Sequence, residues 1–268
     1  NGLTPRSGRM NVDPIEPGTR LPSVWKANLA IDHELPWYGI VASAEVLYTK
    51  VNDALYFERL DLMDPTFTGT MDGRDNFWNA AGRNPANAGR FGMEAGRIRG
   101  SNCSTAQVTA GLCPDVKGNR PGDIGDVMLL RNTSRGSSSQ ATFSLSKAMA
   151  ESWGWSLGYT YTRAEEVSPL TSSQNTSNWN NTLIFNANEN VAYNSRYAIK
   201  DRFTGTLEWK RDFFGDNTTR VGLFYEGRSG RPYSYIFFND ANGDGANTND
   251  LFYVPSGPGD VLFTGGAA

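Results

Sequence analysis

Oxygen-bearing side chains alternate with small residues near the end of the chain. Asp240, Asn242 and Asp244 stand two residues apart, and Gly245 follows directly. This spacing is typical of the start of an EF-hand-like calcium loop, where side-chain oxygens on alternate residues converge on the ion and glycine permits a sharp turn. The alternative is a turn-rich loop that uses Asp, Asn and Gly only for their backbone conformations.

The second half of this loop departs from the EF-hand pattern. Leu251 stands where the pattern requires a bidentate glutamate, and Asn247, Asn249 and Asp250 are the oxygen-bearing residues that could replace it. The sequence therefore predicts weak binding of calcium as a cofactor. The predicted ligands are Asp240, Asn242, Asp244 and Asp250.

The two cysteines of the chain, Cys103 and Cys113, lie in its longest predicted loop. In an oxidising compartment a single pair most simply forms a disulfide, and we predict that bond here. Metal binding is the weaker interpretation, because no histidine or further cysteine stands nearby to complete four ligands. A disulfide would leave no thiol open to labelling in the native protein.

No residue pattern indicates catalysis, and we expect the protein not to be an enzyme. Glu165 and Glu166 are adjacent, so on a strand they point to opposite faces and cannot act as an acid and base pair. His33 is the sole histidine and lacks a Ser and Asp constellation. The formal charge is -3 and the 25 Lys and Arg residues are scattered, which excludes nucleic acid as an expected partner.

The elements that carry these residues follow a period of two. From Trp153 to Arg163, large apolar or aromatic side chains alternate with small or polar ones, which is typical of a strand. Similar alternation predicts about six long strands in all. They are Val24–Ile31, Ile40–Phe57, Asp126–Met149, Trp153–Ala164, Lys200–Arg211 and Thr218–Phe238.

Connection lengths favour an apolar face that meets lipid. Short turns at Glu34–Tyr38, Ala150–Ser152 and Asp212–Asn217 alternate with long connections, so antiparallel strands would place all short turns at one end. Outer-membrane barrels show this asymmetry, with short periplasmic turns and long extracellular loops. Aromatic residues in or beside the short turns suggest an interfacial girdle. They are Trp37, Tyr38, Trp153, Trp155, Phe213 and Phe214.

We therefore predict an all-β, antiparallel transmembrane β-barrel. Six strands do not close a barrel, since about eight are needed to surround a filled interior. Residues 1–268 are accordingly expected to be one part of a single barrel domain. The mean hydropathy of -0.48 does not exclude this class, because barrel strands need only half their residues apolar.

The closing third of the chain carries a recognisable set of motifs. It contains the strings DRFTGTL from Asp201, FYEGRSGRPY from Phe224, DANGDG from Asp240 and NDLFYVP from Asn249. This combination resembles the C-terminal barrel region of Oar-like TonB-dependent outer-membrane receptors. The resemblance is specific after Asp201, and it extends to the architecture of residues 21–255.

The resemblance implies energised uptake of an unknown ligand across the bacterial outer membrane. In that family a signal peptide and a plug domain precede the barrel, and we expect both to be absent from this fragment. The implied partners are outer-membrane lipid, the protein's own plug and, through the plug, TonB. Two alternatives stay open. One is a passive porin or adhesin-like barrel, and the other is a soluble, calcium-dependent extracellular β-sandwich.

Overall fold

The computed structural model describes residues 11–69, 72–78, 125–150, 152–237, 240–257 and 259–260. Six long strands dominate this part of the chain, and we call them the wall. They are β1 Ser23–Glu34, β2 Ile40–Arg59, β6 Ser137–Ala150, β7 Trp153–Glu166, β9 Asp201–Phe213 and β10 Asn217–Arg228. The remaining strands are β3 Phe67–Thr68, β4 Asp75–Asn76, β5 Met128–Thr133 and β8 Tyr193–Asn194.

The wall is one antiparallel sheet in the order β1-β2-β6-β7-β9-β10, and β5 and β8 bring its total to eight strands. The all-β, antiparallel prediction is therefore confirmed. The sheet is open in the described part of the chain, where β1 and β10 each have a neighbour on one side only. Because β1–β2, β6–β7 and β9–β10 are connected by short turns, these turns lie at the same end of the wall, as predicted.

One predicted strand is two strands in the structure. Residues 126–149 were expected to run without a break, but β5 and β6 are separate and both pair with β2. Between them, Gly136 has a φ of +120°, where a side chain would be strained, and its missing Cβ would lie 3.0 Å from the carbonyl oxygen of Glu165. The ladder is interrupted there because a φ of +120° lies outside the extended backbone conformation of a strand.

The last predicted strand, Thr218–Phe238, is wrong beyond Arg228, where β10 ends. Gly230 follows, and Pro232 has no N–H to donate to a ladder. A short helix, α1 Asn175–Asn180, and a 3₁₀ turn at Leu60–Leu62 were not predicted. Among the described helices, none has the length and apolar character needed to cross a membrane.

The buried core lies at the end of the wall opposite the short turns. We call this region the cap, and it comprises residues 60–69, 72–78, 167–198 and 240–251. Its centre is a buried apolar cluster of Leu62, Phe77, Met128, Trp179, Ile184 and Ala246, of which Met128 is contributed by β5. The cap also contains α1, β8 and the small β3–β4 ribbon. Three long connections thus meet in a single cluster.

Candidate functional site

The wall has one mainly apolar and one mainly polar face, and the pairing register aligns each face across the six strands. Phe224 in β10, opposite Thr206, is an exception on the polar face. On the apolar face Ala44 lies opposite Phe143, which lies opposite Tyr159, which lies opposite Phe203. Large apolar side chains on this face are open in the described structure, and Phe143 is 56% exposed. A shallow trough of about 800 Å³ crosses this face, from Ile31 in β1 to Tyr225 in β10.

The opposite face carries hydroxyl, amide and charged groups that bond across strands. The hydroxyls of Thr142 and Thr160 are 3.2 Å apart. Ser156 and Thr206 form a similar pair at 2.6 Å. Further along the sheet, Arg202 and Glu226 form an ion pair of 3.0 Å. This face is therefore suited to water.

Charged residues delimit the apolar face at both ends. Near the short turns, the Lys147 ammonium lies 4.4 Å from the ring centre of Trp153, and the Arg211 guanidinium lies 5.5 Å from that of Phe213. At the other end the apolar pattern stops at Arg163 in β7 and at Asp201 in β9. The apolar residues form a band between two charged borders.

The aromatic residues at the short turns are exposed. Trp37 is 54%, Tyr38 81% and Phe214 94% accessible. The ring centres of Phe214 and Phe213 are 6.4 Å apart, and those of Phe213 and Trp209 are 6.0 Å apart. The predicted gathering of aromatic residues at the level of the short turns is present.

The cap is held together by two buried arginines. Arg59 donates from Nε to both carboxylate oxygens of Asp61, at 3.1 and 3.2 Å, and forms an ion pair with Asp126. Its Nη1 donates to the carbonyl oxygen of Asp244 at 3.0 Å, and its guanidinium lies 5.3 Å from the ring centre of Trp179. Arg59 thus joins the top of β2 to the predicted calcium loop.

Arg74 is the second buried arginine, and it anchors the other end of that loop. Its Nη1 donates to Asp250 Oδ1 at 3.3 Å and to the carbonyl oxygen of Phe185 at 3.2 Å. Arg74 Nη2 also donates to the carbonyl oxygen of Leu251, and the guanidinium forms an ion pair with Asp72. Sequence reasoning missed Arg74 because no spacing signal distinguishes it from a surface charge.

The structure brings all four predicted calcium ligands into the cap. Asp240 is 5% exposed, and Asn242, Asp244 and Asp250 are fully buried. Their side chains bond within the loop. Gly245 N donates to Asp240 Oδ2 at 2.9 Å, Asp244 N to Asn242 Oδ1 at 2.9 Å, and Ala246 N to Asp244 Oδ1 at 2.8 Å. These bonds tighten the turn.

Burial raises the pKa of Asp244. Burial also raises the pKa of Asp250 to about 8, and the nearby Asp244 carboxylate adds to that increase. No three His, Cys, Asp or Glu side chains in the described ranges are arranged to hold a metal ion. Carboxylates alone thus do not form a site, and the calcium site stays a prediction. Cys103 and Cys113, the predicted disulfide, lie outside the described residues.

The comparisons with known proteins add no identification. No family model, no curated protein and no solved structure matches the chain. The candidate site therefore consists of two physical features, the two-faced wall and the buried polar cap.

Proposed function

We propose that the wall is part of a membrane-spanning β-barrel and that its apolar face contacts lipid. The observation that carries this proposal is the continuous exposed apolar face, which six paired strands share in one register. Burying such side chains is worth roughly 1.5–3 kcal/mol each, so a face of this size is unstable in water unless something apolar covers it.

The dimensions of the apolar band support lipid as the cover. From Trp153 to Arg163 in β7, and from Asp201 to Arg211 in β9, the band spans about 10 residues, or about 33 Å along the strand. A strand tilt of about 45° reduces this to about 23 Å, close to the roughly 25 Å apolar belt of outer-membrane barrels.

The charged border near the short turns also fits a membrane interface. Lys147 and Arg211 lie on the apolar face, and both stack on aromatic rings instead of interrupting the centre of the band. Long cationic side chains placed this way keep their stems in apolar surroundings and their charges near the headgroups. The exposed aromatic residues at the turns are suited to the same level.

A soluble β-sandwich is less well supported. It requires a second sheet against the apolar face, and the only other sheet in the described part of the chain is the two-residue β3–β4 ribbon of the cap. A polar face opposite the lipid would line the barrel interior, and the cap would stand on the extracellular side.

Within this class we propose an outer-membrane receptor that takes up a ligand with energy supplied through TonB. The motifs after Asp201 that resemble Oar-like receptors support this choice over a passive porin or an adhesin. In the full-length protein, the plug and TonB would then be the partners of the barrel.

Tryptophan quenching tests the membrane placement. The full chain is refolded from urea into vesicles with bromine on the acyl chains, and into matched unbrominated vesicles. Because Trp25, Trp155 and Trp209 are on the apolar face, we expect strong quenching by bromine and little by aqueous iodide. The proposal would be refuted if the chain stayed monomeric without detergent and bromine did not quench its tryptophan fluorescence.

A further inference from the structure

A fully buried carboxylate in the cap has only neutral hydrogen-bond donors. Asp244 accepts bonds from Ala246 N at 2.8 Å, Asn242 Nδ2 at 3.2 Å and Asn249 Nδ2 at 3.0 Å. Arg59 contacts the carbonyl oxygen of Asp244 and gives its charged side-chain bonds to Asp61 and Asp126. Burial disfavours the ionised form of this carboxylate, and a cation bound beside it would favour that form.

An independent observation points to a missing ligand at the same place. Asn249 has no exposed surface, and its Oδ1 has no hydrogen-bond partner although its Nδ2 contacts Asp244. An unsatisfied buried amide oxygen costs about 1–3 kcal/mol. Because Nδ2 of the same amide donates to Asp244 Oδ2 at 3.0 Å, the unsatisfied oxygen lies in the buried loop beside that carboxylate, where a positive charge would satisfy it.

We propose that the loop 240–250 binds one calcium ion, with Asn249 Oδ1 as a ligand beside Asp240, Asn242 and Asp244. Asparagine thereby takes the role of the glutamate that Leu251 replaces. The site does not need three convergent carboxylates, since amide oxygens also coordinate Ca²⁺. This inference is independent of whether the wall contacts lipid.

The donor set selects calcium among the common metal ions. All side chains offered are oxygen donors, which suit Ca²⁺ and Mg²⁺ better than Zn²⁺. Calcium accepts irregular sets of six to eight ligands, whereas magnesium requires a near-ideal octahedron and retains several waters. A loop that combines carboxylate and amide oxygens within its own backbone turn fits the more flexible requirement.

Trp78 supplies a direct reporter for this site. Its Nε1 donates to the carbonyl oxygen of Ala241 at 3.2 Å. A Cβ added at Gly243 would lie 2.8 Å from the Trp78 ring. Terbium replaces calcium in oxygen sites and emits when a nearby indole transfers energy to it. Trp78 therefore lies in contact with the loop whose ion it would sensitise.

The test is terbium luminescence of the full chain folded in detergent micelles, excited through tryptophan. We expect saturable emission that calcium displaces with a dissociation constant of about 0.1–1 mM, the range of extracellular modules. Trp78→Phe should lower the emission, with Trp179 as the remaining nearby indole, while calorimetry still detects calcium. No emission and no heat of binding up to about 10 mM calcium would overturn the proposal.

We use two substitutions at Asn249, so that the test stays valid if one of the two variants misfolds. Asn249→Asp keeps the oxygen and adds charge, so calcium affinity should rise roughly threefold to tenfold while the calcium-free protein melts at a lower temperature. Asn249→Ala should weaken binding about tenfold. Equal affinities in the native chain and both variants would refute Asn249 as a ligand.

Asp244→Asn and Asp72→Asn form a matched pair, because each removes one carboxylate from the cap. Asp244 lies inside the loop, whereas Asp72 pairs with Arg74 outside it. We expect at least a roughly tenfold loss of calcium affinity for the first and less than a twofold change for the second. Equal losses would mean that calcium responds to the general charge of the cap, which would overturn the assigned site.

Discussion

The wall and the cap distribute apolar and charged residues in opposite ways. In the wall, large apolar side chains such as Phe143 and Leu157 are more than half exposed, whereas Arg74 and Asp250 in the cap are almost completely buried. The wall is therefore stable only where something apolar covers this face. The cap carries its own apolar cluster and its own ion pairs, so its stability depends mainly on contacts within the protein.

The same comparison explains why chemistry is concentrated in the cap. The wall offers repeated, similar side chains, and its polar face bonds mainly through short cross-strand contacts. Three connections far apart in the chain meet in the cap and contribute single residues to one buried network. Arg59 from the end of β2 contacts Asp244 from the last connection, at 3.0 Å. A specific site needs such convergence.

The largest expected effect comes from removing Arg59. Arg59→Met keeps much of the side-chain volume but removes the buried ion pair with Asp61, which typically costs about 3–5 kcal/mol. Hydrogen exchange should show loss of protection in residues 60–69 and 240–251 and little change in β7 and β9. Equal loss in both regions would mean that the cap and the wall are one cooperative unit.

The next prediction concerns the wall. Phe143→Arg places a charge at the middle of the apolar band and should cost about 2–4 kcal/mol of folding stability in vesicles. Ser144→Arg is the matched control, since this neighbour points to the polar face and should cost less than about 1 kcal/mol. Urea titrations in vesicles measure both. Similar costs for the two would contradict a lipid-facing band.

A smaller effect should follow from Gly243→Ala in the cap. Gly243 has a φ of +81°, and the new methyl group would meet the Trp78 ring. We expect a loss of about 1–3 kcal/mol from the combined backbone strain and overpacking. The near-ultraviolet signal of the buried tryptophan should report it. An unchanged signal and stability would show that the loop shifts freely against Trp78.

The smallest predicted effect is at the border of the wall. Lys147→Leu removes the cation that stacks on Trp153 and should change stability by about 0.5–1 kcal/mol. Leu145→Lys is the comparison, because Leu145 is the next residue of β6 on the same face, further from the short turn. It should lower the folding stability more, because the charge then lies deeper in the band. Vesicle unfolding of the two variants defines where the border lies.

Much of the wall could be predicted from the sequence, because a period of two reports directly which side chains share a face. The predicted strand Ile40–Phe57 agrees with β2 to within two residues. The split between β5 and β6 was missed. Residues 131–140 carry no alternation of apolar and polar side chains, and the positive φ of Gly136 interrupts the ladder there.

The cap was less accessible to sequence reasoning because its contacts join residues far apart in the chain. The spacing of Asp240, Asn242 and Asp244 was sufficient to predict that these side chains belong together. Nothing in the spacing indicates that Arg74 anchors Asp250, since 176 positions separate them. The role of Asn249 likewise depends on burial, which local composition does not report.

The most direct test of the central claim is a nitroxide scan along β6. Single cysteines at residues 141–146, in a background with Cys103→Ser and Cys113→Ser, are spin-labelled and reconstituted in vesicles. We predict that labels at Ala141, Phe143 and Leu145 are accessible to oxygen and shielded from a water-soluble nickel chelate, and that labels at Thr142, Ser144 and Ser146 show the reverse. Equal access of the chelate to both sets would contradict a lipid-facing wall.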